Sequence, residues 1–319
     1  MVCVYYNTKY IGIVSHWDLD GIVAASLLVY GSEEHSITWD LRLSTPSRLL
    51  KSIEEVAVQG GALAVADLNP NPQAEPLSLR KLLAKPEKTY WFDHHEWPRK
   101  ILEDLSTMKR LHLIIDPEAT SSELVARHLE NECGLKLLEP HREILEVAVA
   151  DDKNKGSPEL FEEVYKWRII LRSIDWPTKY RIAELFANGE LWSEWLEEIY
   201  SKSRAKYEKE LSLSIEKTRL YTPDCGLKIA VVKASEQLNP SDVYNRLKEK
   251  IEADIYVISY GKGVSLRSEE IDVRRIAQKL GGGGHPKASG ARLKNTKTLE
   301  EIAKIIASIA CKQLKAYSP

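Results

Sequence analysis

Two rhythms of apolar and polar positions alternate along the first 150 residues. Short continuous apolar runs end in polar or acidic residues and are separated by stretches with helical spacing. Tyr10–Ser15 (YIGIVS), Ser36–Leu43, Gly61–Asp67 (GALAVAD), Thr89–His94 (TYWFDH) and Leu111–Ile115 (LHLII) predict strands. Gly21–Tyr30, a segment from Ser47 to about Gln59, Ser121–Cys133 and His141–Ala150 predict helices, with Thr120 or Ser121 placed to cap the third. This alternation predicts an α/β fold with a largely parallel sheet. From Ser157 to Tyr221 the pattern reads as helical throughout and carries Phe161, Trp167, Trp176, Phe186, Trp192 and Trp195. Its second half, Glu190–Tyr221, predicts a long amphipathic connector that Thr222-Pro223-Asp224-Cys225-Gly226 breaks. Leu227–Pro319 returns to mixed α/β, with strands at Lys228–Lys233, Ile255–Tyr260 and Val264–Arg267 and helices at Asp272–Lys279 and Leu299–Lys315. The expected divisions are 1–156, 157–222 and 223–319.

Composition narrows the class. In 319 residues, 43% apolar and 29% charged, there is enough apolar material for a core, which excludes a disordered chain, a collagen-like repeat and a disulfide mini-protein. No apolar run approaches the roughly 20 residues a membrane helix needs, so no membrane partner is expected. Met1–Ile13 lacks the basic-then-apolar layout of a secretory signal. Cys3, Cys133, Cys225 and Cys311 form no CxxC pair and read as reduced, mostly packed thiols of a cytoplasmic protein. The net charge of −2 hides an asymmetry: from Pro223 onward 17 Lys and Arg face 11 Asp and Glu, a net of +6. The acidic remainder suits bound cations, and the basic end suits a polyanion; chance variation of surface charge is the plain alternative.

Five segments carry candidate chemistry. His16-Trp17-Asp18-Leu19-Asp20-Gly21 lies where a predicted strand meets a predicted helix, the edge at which open α/β sheets bind ligands. His16, Asp18 and Asp20 are alternate residues of an extended segment and suit a divalent metal such as manganese. The plain alternative is a loop that caps the helix through Asp20. Asp67 ends a strand, where a turn former is also common. Asp93-His94-His95 follows a buried aromatic run, and unpaired burial of those groups would cost several kcal/mol. One satisfied core histidine and one surface histidine is the alternative there. Asp151 and Asp152 follow a predicted helix end, where carboxylates face the unfavourable pole of the dipole unless a cation is near. Gly281-Gly282-Gly283-Gly284-His285-Pro286-Lys287-Ala288-Ser289-Gly290, with Arg267 at a nearby strand end, reads as an anion-binding loop or as a flexible hinge. Trp17 and Trp97 flank the metal motifs and read as base-stacking or as packing residues.

Taken in order, His16-x-Asp18-x-Asp20-Gly21, Asp67, Asp93-His94-His95 and Asp151 resemble the four motifs of the DHH phosphoesterase superfamily. Gly282-Gly283-Gly284-His285 with Ala288-x-Gly290 resembles the associated DHHA1 domain. That superfamily includes RecJ-like single-strand exonucleases, nanoRNase/pAp phosphatases and cyclic-dinucleotide phosphodiesterases, and related N-terminal domains occur in family II pyrophosphatases. The resemblance implies an N-terminal parallel-sheet DHH domain, a helical connector, a smaller C-terminal DHHA1 domain and an active site in the cleft between lobes. It also implies two Mn2+, with Mg2+ or Co2+ as substitutes. One would be held by His16, Asp18 and Asp67, the other by Asp20, Asp67, His94 and Asp151. Asp93 and His95 would orient ligands or touch the scissile phosphate, and Arg267, Gly282, Gly283, Gly284 and His285 would hold substrate.

The function so implied is a manganese-dependent phosphodiesterase or exonuclease on single-stranded DNA, RNA or short oligonucleotides. It would be a compact, archaeal-like enzyme, 3′-to-5′ in direction, with a repair or replication partner and an open oligomeric state. The alternatives are a pAp-type small-nucleotide phosphatase, a dinucleotide phosphodiesterase and a non-catalytic nucleic-acid-binding protein.

Overall fold

A computed structural model describes residues 2–70, 76–293 and 298–315. The chain divides into two compact units, Met1–Glu197 and Glu198–Pro319. In the first, β1 (Tyr10–His16), α1 (Leu19–Glu34), β2 (Thr38–Ser44), α2 (Leu49–Val56), β3 (Ala62–Ala66), α3 (Pro76–Leu83), β4 (Lys88–Asp93), α4 (Arg99–Leu105), β5 (Leu111–Ile115) and α5 (Ser121–Asn131) alternate. Helices α6 (Glu139–Lys153), α7 (Pro158–Ser173), α8 (Trp176–Ala187) and α9 (Glu194–Glu216) follow, and the boundary between the units falls inside α9.

The five strands of this unit are parallel, in the order β2-β1-β3-β4-β5. β3 is buried throughout and β1 at every interior position, because helices cover both faces of the sheet. One cover is α1, buried at every residue from Leu19 to Ser32; its run of apolar and small residues lets it pack against the sheet, α5, α6 and α8. The other is α2 to α4, whose Ile53, Leu79 and Ile101 close over Val14, Val65 and Trp91. β2 lies outside β1 while the later strands extend the other way. The sheet therefore reverses its direction of growth between β1 and β3, and open α/β sheets bind ligands at the carboxyl ends beside such a reversal.

The second unit contains β6 (Arg219–Tyr221), β7 (Ile229–Lys233), α10 (Pro240–Lys250), β8 (Ile255–Tyr260), β9 (Gly263–Arg267), α11 (Val273–Lys279), β10 (Gly283–Gly284), β11 (Ala288–Arg292) and α12 (Leu299–Lys315). Its sheet runs β10-β11-β9-β8-β7-β6, with β7 and β8 parallel and the other pairs antiparallel. Val231, Val257, Leu266, Ile276 and Ile306 form the centre of its core.

Several expectations need correction. The segment 157–221 is not helical throughout: the chain leaves helix at Ile174, Asp175 caps α8 by accepting from Thr178 N, and 219–221 is a strand. Helices α3, α4 and α10 are additional. The first two are too short to show an apolar period and are fixed by packing over Trp91 and Leu63. The glycine run is not a flexible hinge at Gly283–Gly284, which pairs with Ser289–Gly290. The cysteines are not reduced: Cys3 is bonded to Cys133 and Cys225 to Cys311, with Cα separations of 4.7 and 5.8 Å. The partners lie 130 and 86 residues apart, so only the folded chain brings them together. Among the described residues, no helix is long and apolar enough to cross a membrane.

Candidate metal centre

Four chain segments deliver polar groups to the carboxyl edge of the parallel sheet. β1 ends at His16, and the next residue but one, Asp18, caps α1 by accepting from Gly21 N at 3.2 Å. The cap is therefore Asp18, not Asp20. Gly21 is required here, since a Cβ at that position would lie 2.4 Å from the His16 carbonyl oxygen. The close turn lets Ser15 Oγ donate to Gly21 O at 2.6 Å and leaves Asp20 buried in the first turn of the helix. Asp67 follows β3 with φ of 56°, a left-handed conformation that Asp tolerates better than most side chains. β4 ends at Asp93, and His94 and His95 follow it. The fourth segment is the last turn of α6.

Asp67 is the hub. Its Oδ2 is 3.5 Å from His16 Nδ1, and its Oδ1 is 3.3 Å from His94 Nε2 and 3.9 Å from His95 Nδ1. His16 Nδ1 also lies 2.8 Å from Asp18 Oδ2. Asp93 is fully buried: its Oδ1 accepts from His94 N at 2.9 Å and meets His95 Nδ1 at 2.7 Å, while Trp97 Nε1 donates to its Oδ2 at 2.5 Å. Trp97, 5% exposed and edge-on to Trp91, is a packing and positioning residue.

The fourth position needs correction. Asp151 turns away from the cluster, and its Oδ1 meets Arg168 Nε at 2.6 Å. Asp152 instead faces the cluster, with Oδ2 3.6 Å from His94 Nδ1. α6 continues to Lys153, so both acids are helical, and neighbouring helical residues point about 100° apart. Only one can face the site. Sequence reasoning missed the contribution of Ser121 and Ser122: their amides donate to Asp20 at 2.9 and 3.1 Å, Ser122 Oγ also donates to Asp20, and Ser121 Oγ donates to Asp67 at 3.3 Å. The available signal was the capping box Thr120-x-x-Glu123 after β5, which fixes the start of α5 and presents those amides.

The electrostatics describe an anionic cage that holds protons. Burial and the adjacent Asp67 and Asp152 carboxylates push Asp20 up to about 8. Burial likewise pushes Asp152 up to about 6, against the pull of His94. Burial works against charge on the imidazoles, yet Asp18 and Asp67 raise His16 to about 10, and Asp67 and Asp152 raise His94 to about 10. Asp67 stays well below the usual carboxylate range, because hydrogen bonds from His16 and His94 outweigh its burial. Protons thus occupy positions that divalent cations could take. His16, Asp18 and Asp67 can bring one ligand atom each within 4.8 Å of one another, and so can Asp20, Asp67 and His94. Oxygen donors with two imidazoles and no thiolate suit manganese or magnesium. The residues present fit a two-metal site that shares Asp67.

In the second unit, Arg267 ends β9 opposite Ala288 of β11, and its Nη1 donates to Ser265 Oγ at 2.6 Å. Gly282–Gly284 and Ala288–Gly290 form a tight hairpin in which His285 N donates to Ala288 O at 2.8 Å. Gly284 has φ of 130°, and a Cβ there would lie 2.7 Å from Ala288 O. Lys287, within the same segment, has Nζ 3.2 Å from Glu269 Oε2.

Residues 227–311 match the DHHA1 domain family. No curated protein matches the chain in sequence at a significant level. An exopolyphosphatase-related protein from Bacteroides fragilis is 17% identical with a TM-score of 0.57, over 98% of this chain and 94% of that one. RecJ from Thermus thermophilus, solved in complex with Mn2+, is 15% identical with a TM-score of 0.61, over 99% of this chain and 53% of RecJ. This chain thus spans about half of that RecJ. PggH from Vibrio cholerae, a pGpG-specific phosphodiesterase, is 17% identical with a TM-score of 0.55, over 97% of this chain and 100% of that one. At such identities these likenesses establish the fold. Residues 227–311 thus belong to the DHHA1 domain family, and the chain as a whole shares the fold of these proteins.

Proposed function

We propose that this protein is a manganese-dependent phosphodiesterase that hydrolyses single-stranded nucleic acid or short oligonucleotides. The observation that carries this reading is the convergence of His16, Asp18, Asp20 and His94 on the buried Asp67 carboxylate, with Asp152 beside His94. His16, Asp18 and Asp67 would hold one ion, and Asp20, Asp67, His94 and Asp152 the other. Two such ions supply an activated water and offset charge on the phosphoryl oxygens in an in-line displacement.

The remaining work falls to side chains. Asp67, the residue common to both candidate ligand groups, would serve both ions and is kept ionised by its two imidazole neighbours. Asp93, fixed by Trp97, orients His95 through Nδ1, so Nε2 is the nitrogen that would donate to a phosphate oxygen. Backbone amides at the start of α5 hold the Asp20 carboxylate in place. In the second unit, the Gly282–Gly284 hairpin, His285 and Arg267 are the groups proposed to take a terminal phosphate. The net positive charge from Pro223 onward suits a polyanion.

A second reading, a dinucleotide phosphodiesterase, is favoured by the end-to-end match to the fold of PggH. A time course on end-labelled two-nucleotide and twenty-nucleotide DNA and RNA, with manganese or with EDTA, separates the readings. Manganese-dependent shortening of the long strand supports the first, and turnover of the dinucleotide alone supports the second. Intact substrates throughout would overturn both.

A further inference from the structure

Helices α7 and α8 place an aromatic and cationic surface beside the metal centre that the mechanism above does not use. Trp17 stands between His16 and Asp18, with its ring centroid 5.8 Å from that of His16. Arg172, in the last turn of α7, lies 5.1 Å from the Trp17 ring, and Lys179 of α8 lies 5.3 Å from it. Trp176, the first residue of α8, meets Trp17 edge-on at 6.4 Å and is 40% exposed. Two indoles and two cations therefore surround a point one residue from a metal-site histidine.

Packing alone is a poor account of this group. Lys179 is 6% exposed, and its ammonium donates to Ile174 O at 2.9 Å. Burial and the nearby Arg172 charge pull it down to about 8. Asp175 is the acid that acts on Lys179, and its carboxylate is engaged in capping α8, accepting from Thr178 N at 3.0 Å and Thr178 Oγ1 at 2.5 Å. A cationic side chain beside an exposed indole is the chemistry that single-stranded nucleic acid recognises: a base stacks on the ring, and a phosphate pairs with the cation.

We propose that Trp17, Trp176 and Arg172, with Lys179 buried behind the Trp17 ring, form a subsite that stacks one base of a single-stranded polynucleotide and pairs with the adjoining phosphate. α7 and α8 would then extend the substrate path away from the scissile bond. This rests on the phosphodiesterase reading and deepens it, because such a subsite commits the enzyme to strands longer than a dinucleotide.

The test is equilibrium binding of a fluorescein-labelled deoxythymidine ten-mer in EDTA, read by fluorescence anisotropy on the full chain. Trp176→Ala and Arg172→Ala are each expected to weaken binding about tenfold, the scale of one lost base stack or one desolvated cation contact. Trp176→Phe, which keeps a stacking face, should retain most of the affinity. Circular dichroism melts of the three variants confirm that they are folded, which the exposure of Trp176 favours. Affinities within twofold of the parent for both alanine variants would overturn the subsite. So would an equal loss for Trp176→Phe and Trp176→Ala, or a parent that does not bind the ten-mer. Adding manganese to the same samples tests the activity separately. Parent protein that binds but never shortens the strand would sink the phosphodiesterase reading and leave the subsite standing.

Discussion

At the scale of single residues, the site turns on which carboxylates face Asp67. Asp67→Ala removes the one group, among the described residues, placed to serve both ions. Turnover is expected to fall by at least about a thousandfold, the range seen when a group placed in the transition state is lost. Steady-state rates with saturating manganese check it. Asp151 and Asp152 are predicted to part company. Asp152→Asn should cut turnover or raise the manganese requirement while leaving the melting temperature close to the parent's. Asp151→Asn should chiefly destabilise, by about 3 kcal/mol, because it removes the carboxylate that pairs with Arg168, which is 3% exposed. Equal kinetic defects in the two variants would contradict the assignment.

The pH dependence follows from the same groups. Asp20 and Asp152, raised to about 8 and about 6, and His16 and His94, raised to about 10, hold protons in the metal-free fold that the unfolded chain has already released at lower pH. Their contribution to stability is therefore fully present below the unfolded values and is lost as pH rises through the folded ones, between roughly pH 4 and 10. Metal binding displaces these protons, so manganese affinity should rise with pH, by about tenfold per pH unit for each proton displaced. Calorimetric titrations at two pH values would show this, and a pH-independent affinity would contradict it.

At the scale of elements, backbone approach matters more than side-chain chemistry. Gly21 lets α1 start directly beneath the end of β1, and Gly21→Ala would force a Cβ to within 2.4 Å of the His16 carbonyl oxygen. The expected outcome is a loss of stability of about 3 kcal/mol or more together with loss of metal binding, read by melts with and without manganese. Thr120 anchors the other element that reaches the site. Thr120→Ala removes the capping box and should cost about 1 kcal/mol of stability. It should also lower manganese affinity, because the Ser121 and Ser122 amides that hold Asp20 depend on where α5 begins. Strands were legible in the sequence wherever both faces are covered, because β1, β3 and β4 must then read as unbroken apolar runs. Helices α3 and α4, of eight and seven residues, were not read from the sequence.

At the scale of the whole molecule, each compact unit has one disulfide within it. Closing loops of 130 and 86 residues restricts the unfolded chain, and loss of either bond is expected to cost on the order of 4 kcal/mol. Mass spectrometry after alkylation under denaturing conditions should find no free thiol, and reduction should lower the denaturation midpoint; four alkylated cysteines in unreduced protein would contradict the pairing. The thiols read as reduced because spacing along the chain says nothing about which distant cysteines meet. The domain-scale charge asymmetry belongs here as well. If the basic C-terminal part binds polynucleotide, affinity for a long strand should fall steeply with salt, roughly linearly in the logarithm, while turnover of a dinucleotide should not.

The residues in order were enough to establish that the first part is a parallel α/β sheet and that acidic and imidazole groups cluster at its strand ends. Both follow from local rules: full burial makes apolar runs, and the residues after such a run lie at the sheet edge. What those residues do together came from the packed chain. Packing turned Asp152 toward His94 and Asp151 toward Arg168, because the helix rotates adjacent side chains apart. It made Asp18 the cap and Asp20 the buried carboxylate, because α1 begins earlier than its apolar pattern. It brought Ser121 and Ser122 to Asp20 across about a hundred residues, and it set Trp17 against α7 and α8. Such contacts depend on how elements pack against one another, and no spacing within a single segment encodes that.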